Sequence, residues 1–564
     1  MVINKEFTIF VPTISINIMW LIVFIPLAIY VIAAFSVNKN TLSKPDDYFA
    51  AFRKVSKTEF ASSSIAYGFQ VSTIFPFLLW GASMFLFVPF VNAIFWGVGI
   101  VLFYLSFNRI SPYIGKSGTL HGFIGEAYGN EARTTASILT IAGFLGCIVA
   151  ELWFGSRVLL SIFPNQDLLY MVLFLFVIFI CIYLYKGGQI SSIRTDQFQL
   201  AFIYIGVFGV FIYLLYLLID SPSPIIAELN WGLVFLLLMT PIILNIRKYE
   251  FVKAHNLLDK MLNYIIVLFL LLIIALALWI VLFKDGDISV KNFFNIEGFG
   301  VLGLLSFIIL PCAWQFVDLT NWQRLLSVSG SDSEDINKNI KKGLLSYSIE
   351  SPYTWMLFII LGLLISASYP DWTFKDILVD FPRHMIQSSK TIEQILGYTF
   401  IISVISIMIS TIDSFIMAIS FTYTYDLSKQ FKAYQDNPQD TNLKQVLNSS
   451  KHFSYYLIFT ALVLFVFFDK KTPLGGEGFI DLLLSFYSPA LSFLPLILGI
   501  LFLKKIPTKI WALSSMLIGS IIGISIGVYN VLSGDPTFQW LPVIASVASS
   551  SFIYLLGLCA KKKN

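Results

Sequence analysis

The sequence predicts an all-α integral membrane protein, and three observations carry that prediction. Residues of the AVILMFWYC set make up 57% of the 564-residue chain and charged residues only 12%, against roughly 25% charged in an ordinary soluble domain. The apolar residues gather into runs of about 20, the length a helix needs to cross a bilayer core about 30 Å thick. The lysines and arginines between those runs sort to one side, as residues retained in the cytoplasm do.

The runs fall, in order, at 12–36, 58–84, 87–108, 134–163, 167–186, 191–219, 231–247, 261–284, 297–323, 344–368, 392–425, 453–469, 480–503, 508–532 and 538–560, giving fifteen spans of which 231–247 and 453–469 are the shortest. When they alternate from an external N-terminus, 28 of the 37 basic residues lie on the cytoplasmic side and 8 outside, with Arg157 inside a span. The asymmetry predicts an N-out, C-in topology in the cell membrane, plasma or inner. Residues 1–14 lack the basic region and small-residue cleavage site of a signal peptide, so the first run is expected to persist in the mature protein. The longest polar connections, 37–57, 324–343 and 426–452, are too short for a folded domain. One membrane domain over 1–564 is expected.

Composition also excludes function classes. A net charge of +4 is too small to signal nucleic acid or another acidic partner. Cys147, Cys181, Cys312 and Cys559 show no CxxC spacing, and His121, His255, His384 and His452 are scattered. No HExxH, Walker A or GxSxG pattern occurs, so the commonest hydrolase, ATPase and zinc chemistries are not expected, and neither is an enzyme.

Two runs break the apolar pattern. The second reads Ser62-Ser63-Ser64-Ile65-Ala66-Tyr67-Gly68-Phe69-Gln70-Val71-Ser72-Thr73-Ile74-Phe75-Pro76, and the ninth carries Pro311, Trp314, Gln315 and Asp318. Broken helices survive in lipid only where protein covers them or they line a cavity. Paired interruptions in two halves point to a transporter site; the plainer alternative is a pair of Pro-kinked helices packed for structure. The ionisable residues at membrane depth are Glu151, Arg157, Asp196, Asp318, Glu350 and Asp413. Each costs at least about 2.5–3.5 kcal/mol at the bilayer centre unless it meets a partner, an ion or water. Glu151 and Arg157, six residues apart, are expected to be structural near the outer surface. Asp318, two turns before Arg324, is expected either to form an inner-gate ion pair or to bind a ligand.

Three stretches in order resemble the sodium:solute symporter family, whose members include proline, sugar and sialic acid symporters. Gly187-Gly188-Gln189-Ile190-Ser191-Ser192-Ile193-Arg194-Thr195-Asp196-Gln197-Phe198-Gln199 is similar to its GG-x5-TD-x2-Q stretch, Trp322-Gln323-Arg324 to its QR signature, and Ser410-Thr411-Ile412-Asp413-Ser414 with Asp426-Leu427 to its STxDS…D stretch. Asp47-Tyr48-Phe49-Ala50-Ala51-Phe52-Arg53 resembles the DYF-x2-GR segment more weakly. Phe52 stands where the family has Gly and His121 where Pro is typical. The 128 residues between Asp196 and Arg324 leave room for an additional hairpin, 228–290, whose role the sequence leaves open.

The resemblance implies a leucine-transporter-type inverted five-helix repeat of about 13–15 spans. The first five helices would lie within 58–219 and the second five within 297–503, with the first span and 508–564 peripheral. It also implies a sodium-coupled symporter importing a small polar organic solute. Its first sodium site would take carbonyls of Gly68, Val71 and Ile407 and hydroxyls of Ser410 and Thr411. Hard oxygen ligands of this kind suit sodium; on the residues alone, Ser410 and Thr411 could instead bond back to their own helix. A second site would join Asp196, Ser410, Asp413 and Ser414, the alternative being Asp196 paired with Arg194 or a backbone amide. One sodium, or two, is therefore expected, and no other metal.

The substrate cavity would be built from Gln70, Phe75, Trp314, Gln315 and Glu350. Trp314 would be an aromatic gate, and Glu350 either a substrate ligand or an inner-gate ion pair with Arg324 or a lysine. A membrane sensor acting with a separate partner is the rival function. The expected partners are lipid and solute, and nothing in the sequence sets an oligomeric state.

Overall fold

The computed structural model describes residues 16–35, 44–83, 85–114, 118–220, 296, 299–369, 377–436, 443–471, 476–503, 505–533 and 539–560. The hairpin 228–290 lies outside them. Two short helices lead in, α1 (Ile16–Phe35) and α2 (Pro45–Ala50). A helix pair follows, α3 (Lys57–Gly68) and α4 (Val71–Ala82), bent by 57° across Phe69 and Gln70. Then come α5 (Phe87–Ile114), the short α6 (Leu120–Tyr128), α7 (Asn130–Leu159) and α8 (Gln166–Asp220).

The second half repeats this order. A broken pair, α9 (Gly300–Val317) and α10 (Leu319–Ser327), precedes the long α11 (Ser333–Ser368) and the short α12 (Ile377–Gln387). Next are α13 (Thr391–Thr422), closed by a π-turn at Tyr423–Leu427, the short α14 (Lys429–Asp436), α15 (Leu443–Lys471), α16 (Gly476–Leu491) and α17 (Leu494–Phe502). The last two helices are α18 (Lys509–Ser533) and α19 (Leu541–Ala560).

Ten of these helices are long and apolar enough to cross a membrane, or eleven with the bent pair. Among the described residues, thirteen segments could cross once the shorter α1 and both halves of α8 are counted. The chain is a multi-pass membrane protein. The halves of α8 meet at Gly188, where φ is 54° and a Cβ would stand 2.2 Å from the Tyr48 carbonyl oxygen. Only glycine fits there, for both its backbone angle and its clearance.

Burial separates an inner bundle from an outer ring. In their most apolar stretches α11 is 89% buried and α7 and α13 72%, whereas α19 is 28% and α15 33%. The outer ring presents apolar side chains such as Leu532, Ile510 and Ile32, as a lipid-facing surface requires and a water-facing one would not tolerate over so wide a patch. Inside, α4 and α11 touch backbone to backbone. A Cβ on Gly81 would lie 2.0 Å from the Ile359 carbonyl oxygen, and one on Gly362 2.1 Å from that of Leu78. Small residues of this kind let membrane helices approach closely.

Candidate functional site

The break between α3 and α4 fixes the site. Phe69 and Gln70 are extended, which frees backbone groups that lipid could not satisfy. The Trp355 indole N–H donates to the Gly68 carbonyl at 2.9 Å, and the Thr411 hydroxyl to the Phe69 carbonyl at 3.0 Å. At the start of α4 the amides of Val71 and Ser72 donate to the Glu151 carboxylate at 2.9 and 3.2 Å, and the Ser72 hydroxyl joins them. Glu151 is therefore not an outer-surface residue: it caps the broken helix from α7.

The first predicted ion set is brought together in part. Thr411 faces both the Phe69 and Ile407 carbonyls, at 3.0 and 3.1 Å. The near carbonyl is that of Phe69, one residue beyond Gly68, whose own oxygen is taken by Trp355. Ser410 donates to Asp196 at 2.5 Å. With their protons committed elsewhere, both hydroxyls keep lone pairs to offer. Ile407, Ser410 and Thr411 are buried completely.

Beneath this lies a charged network. Asp196 accepts from Ser410 and Ser63, each at 2.5 Å, and lies 3.8 Å from the Arg324 guanidinium. Arg324 donates to Ser63 at 3.0 Å and to Ser414 at 2.8 Å, and its guanidinium sits 4.6 Å above the Tyr67 ring. Asp413 accepts from Tyr183 at 2.5 Å, Ser192 at 2.9 Å and Ser414 at 3.3 Å. Asp196, Ser410, Asp413 and Ser414 thus do converge. The basic partner of Asp196 is Arg324, not Arg194. Asp318 marks the break between α9 and α10 and caps α10, accepting from the Thr320 amide at 2.8 Å. The ninth run stays helical through Pro311 and opens seven residues later.

Beside the unwound segment lies a cavity of about 70 Å³, small against the roughly 300–1,000 Å³ of most ligand pockets. Gln70, Ser72, Thr73 and Asn92 give it hydrogen-bonding groups; Phe77, Trp80, Trp96, Phe307, Trp314, Trp355, Tyr487 and Trp540 give it aromatic walls. Of the five residues predicted for it, Gln70 and Trp314 line it. Trp314 stacks on Phe144 with ring centroids 5.7 Å apart. Phe75 instead packs on Phe154, because it projects to the α7 side of α4. Gln315 turns back to the Pro311 carbonyl and accepts from Asn321. Glu350 does not line the cavity; it accepts the Tyr204 hydroxyl at 2.5 Å. A second, more polar cavity lies at the C-terminal end of α13, lined by Asp46, Glu126, Arg133 and Tyr425 among others.

No family model matches the chain, and no curated protein matches it in sequence. Its structure does have relatives. A solved Na+-coupled sialic acid symporter, substrate-bound and outward-open, superposes over 96% of this chain and 98% of its own with a TM-score of 0.64 at 13% identity. This chain has the leucine-transporter-type fold. A nucleobase-cation-symport-1 family transporter with bromovinylhydantoin bound superposes over 93% of this chain and 96% of its own, with a TM-score of 0.48 at 12% identity.

Proposed function

We propose that this protein is a sodium-coupled secondary symporter that imports a small polar organic solute across the cell membrane by alternating access, with its N-terminus outside. The observation that carries the reading is the unwound Phe69–Gln70 segment lying against Ile407, Ser410 and Thr411. It supplies carbonyl and hydroxyl oxygens, the ligands a hard monovalent cation takes in transporters with discontinuous helices. Gly68, Val71, Ile407, Ser410 and Thr411 form the first sodium site in this reading, with Phe69 as a further carbonyl.

Asp196, Asp413, Ser410 and Ser414 form the second. Two carboxylates near one cavity repel if both are ionised, so either a second sodium ion binds between them or one carboxyl is protonated. Coupling follows if sodium holds α3/α4 against α13, since a ligand shifts a conformational equilibrium only by its preference for one state.

The test is uptake into proteoliposomes from a panel of amines, sugars, amino acids and carboxylates under an inward sodium gradient. The expected result is accumulation of one class above its external concentration, abolished when potassium replaces sodium. Uptake that only equilibrates and ignores the cation gradient would contradict coupling.

A further inference from the structure

The cavity at the C-terminal end of α13 is the larger of the two, about 480 Å³, and falls within the roughly 300–1,000 Å³ of most ligand pockets. Its polar wall is organised by the π-turn, which sends two successive side chains to different helices. The Tyr425 hydroxyl donates to Asp46 of α2, and the Tyr425 carbonyl accepts from Arg133 Nη2 at 3.0 Å. Asp426, fully buried, accepts from Arg133 Nε at 2.7 Å and from the Thr119 hydroxyl at 2.8 Å. Gly125 on α6 leaves the space that the Arg133 stem occupies, since a Cβ there would lie 2.8 Å from that of Arg133.

Held in this way, Arg133 keeps one guanidine nitrogen, Nη1, without a protein partner among the described residues, a donor suited to an anionic oxygen. Asp46 and Glu126 stand on the wall of the same cavity. Burial and the like charge of Asp47 hold the Asp46 carboxyl above its ordinary range, and a cation set against it would offset both. Phe52 and Phe421 give the cavity apolar surface. Two departures from the symporter motifs meet here. Phe52, 39% exposed, belongs to the wall, and His121 places Nδ1 3.1 Å from the Asp426 carboxylate that anchors Arg133. Neither the ion sites nor the solute cavity accounts for them.

We propose that this cavity is a second ligand site, taking a zwitterionic amino acid with an apolar side chain: its carboxylate on Arg133, its ammonium on Asp46 and Glu126, its side chain against Phe52 and Phe421. A ligand carrying only one of the two charges leaves the opposite wall unpaired, which is costly where water is partly excluded. The bound amino acid ties α2, which leads into the broken helix, to the end of α13, the helix that carries the ion-site hydroxyls. The carrier reading places the cavity on the cytoplasmic side, but the binding itself does not depend on transport.

The purified full chain in sodium buffer is titrated by calorimetry with L-phenylalanine and with two analogues that each lack one charge, 2-phenylethylamine and 3-phenylpropanoate. Phenylalanine is expected to bind saturably and each analogue at least about tenfold more weakly, the scale of one charge-assisted hydrogen bond. Hydrogen exchange measured with phenylalanine bound should slow in α2 and in the Tyr423–Leu427 turn. Arg133→Lys keeps a charge beside Asp426 but loses the forked donor, so it should weaken phenylalanine and leave phenylethylamine as it was. Asp46→Asn should weaken phenylalanine and leave phenylpropanoate as it was. Trp314→Ala, in the solute cavity, should leave the phenylalanine affinity unchanged. Binding lost in the Trp314 variant and kept in the other two would put the ligand in the solute cavity and overturn the inference. No saturable binding, equal binding of the three probes, or unchanged exchange in α2 and the turn would each overturn it as well. Phenylalanine binding of the expected pattern in a chain that shows no sodium-driven uptake of any solute would leave the inference standing and overturn the carrier reading.

Discussion

At the scale of single residues, Arg324 has the most to hold in place. It is 1% exposed, and its guanidinium reaches Ser63, Ser414 and Asp196 on three different helices. Removing one partner of a buried ion pair costs about 3–5 kcal/mol, because the other charge is left uncompensated. Arg324→Met is therefore expected to lose most of its folded yield, and the double variant Arg324→Met/Asp196→Asn to recover a good part of it. Monodispersity by size exclusion with a thermal-shift assay reads both, and a single variant as stable as wild type would contradict the assigned partnership.

None of this pairing could be read from the chain. Asp196 and Arg324 are separated by 128 residues, and only the packing of α8, α10 and α13 brings them together. The partners of Glu151, expected to be structural but near the outer surface, were hidden for a similar reason: Val71 and Ser72 lie 80 and 79 positions earlier. Asp196, Ser410, Asp413 and Ser414 were named through the family resemblance rather than from spacing, and the packing of α8 against α13 does bring them together.

At the scale of elements, the two breaks teach different lessons. Gly68 between polar stretches marked the first correctly. At the second, Pro311 was the misleading signal, since a helix in protein surroundings tolerates proline when neighbours satisfy the freed carbonyl. The true signal was Asp318 followed by Thr320, an N-cap pattern inside an apolar run. Caps also make a pH prediction. Asp332 begins α11 and accepts from the amides of Glu334 and Asp335, each at 2.9 Å.

Those amide bonds hold the Asp332 carboxyl below its ordinary range. A carboxyl depressed in the folded state stabilises it above the unfolded value near 3.9, and that contribution is lost as the pH falls through the folded value. Asp332→Ala should accordingly lower the melting temperature at pH 7, with the gap to wild type closing as the pH falls below the ordinary carboxyl range. A gap that stays constant with pH would show that the cap carries no charge-dependent stability.

At the scale of the whole molecule, most of the architecture was legible because lipid imposes a length rule that soluble folds lack. Runs of about 20 apolar residues gave the crossings, and the described helices follow them closely, with 167–186 and 191–219 joined as α8 and parted at Gly188. What hydropathy could not supply was depth within the bundle. The apolar runs of α11 and α19 look alike in sequence, yet one is 89% buried and the other 28%, a difference set by which helices surround them. Position in the bundle is also what puts α13 against the broken helix, so that Thr411 meets the Phe69 carbonyl as well as one of its own turn.

That juxtaposition is the central claim, and binding of radioactive sodium to the purified protein tests it most directly. The wild-type chain should bind 22Na+ saturably, displaced by unlabelled sodium and not by potassium. The double variant Ser410→Ala/Thr411→Ala should bind roughly thirtyfold more weakly, two oxygen ligands lost at about 1 kcal/mol each. Saturable binding of unchanged affinity in that variant, or none in the wild type, would contradict the account.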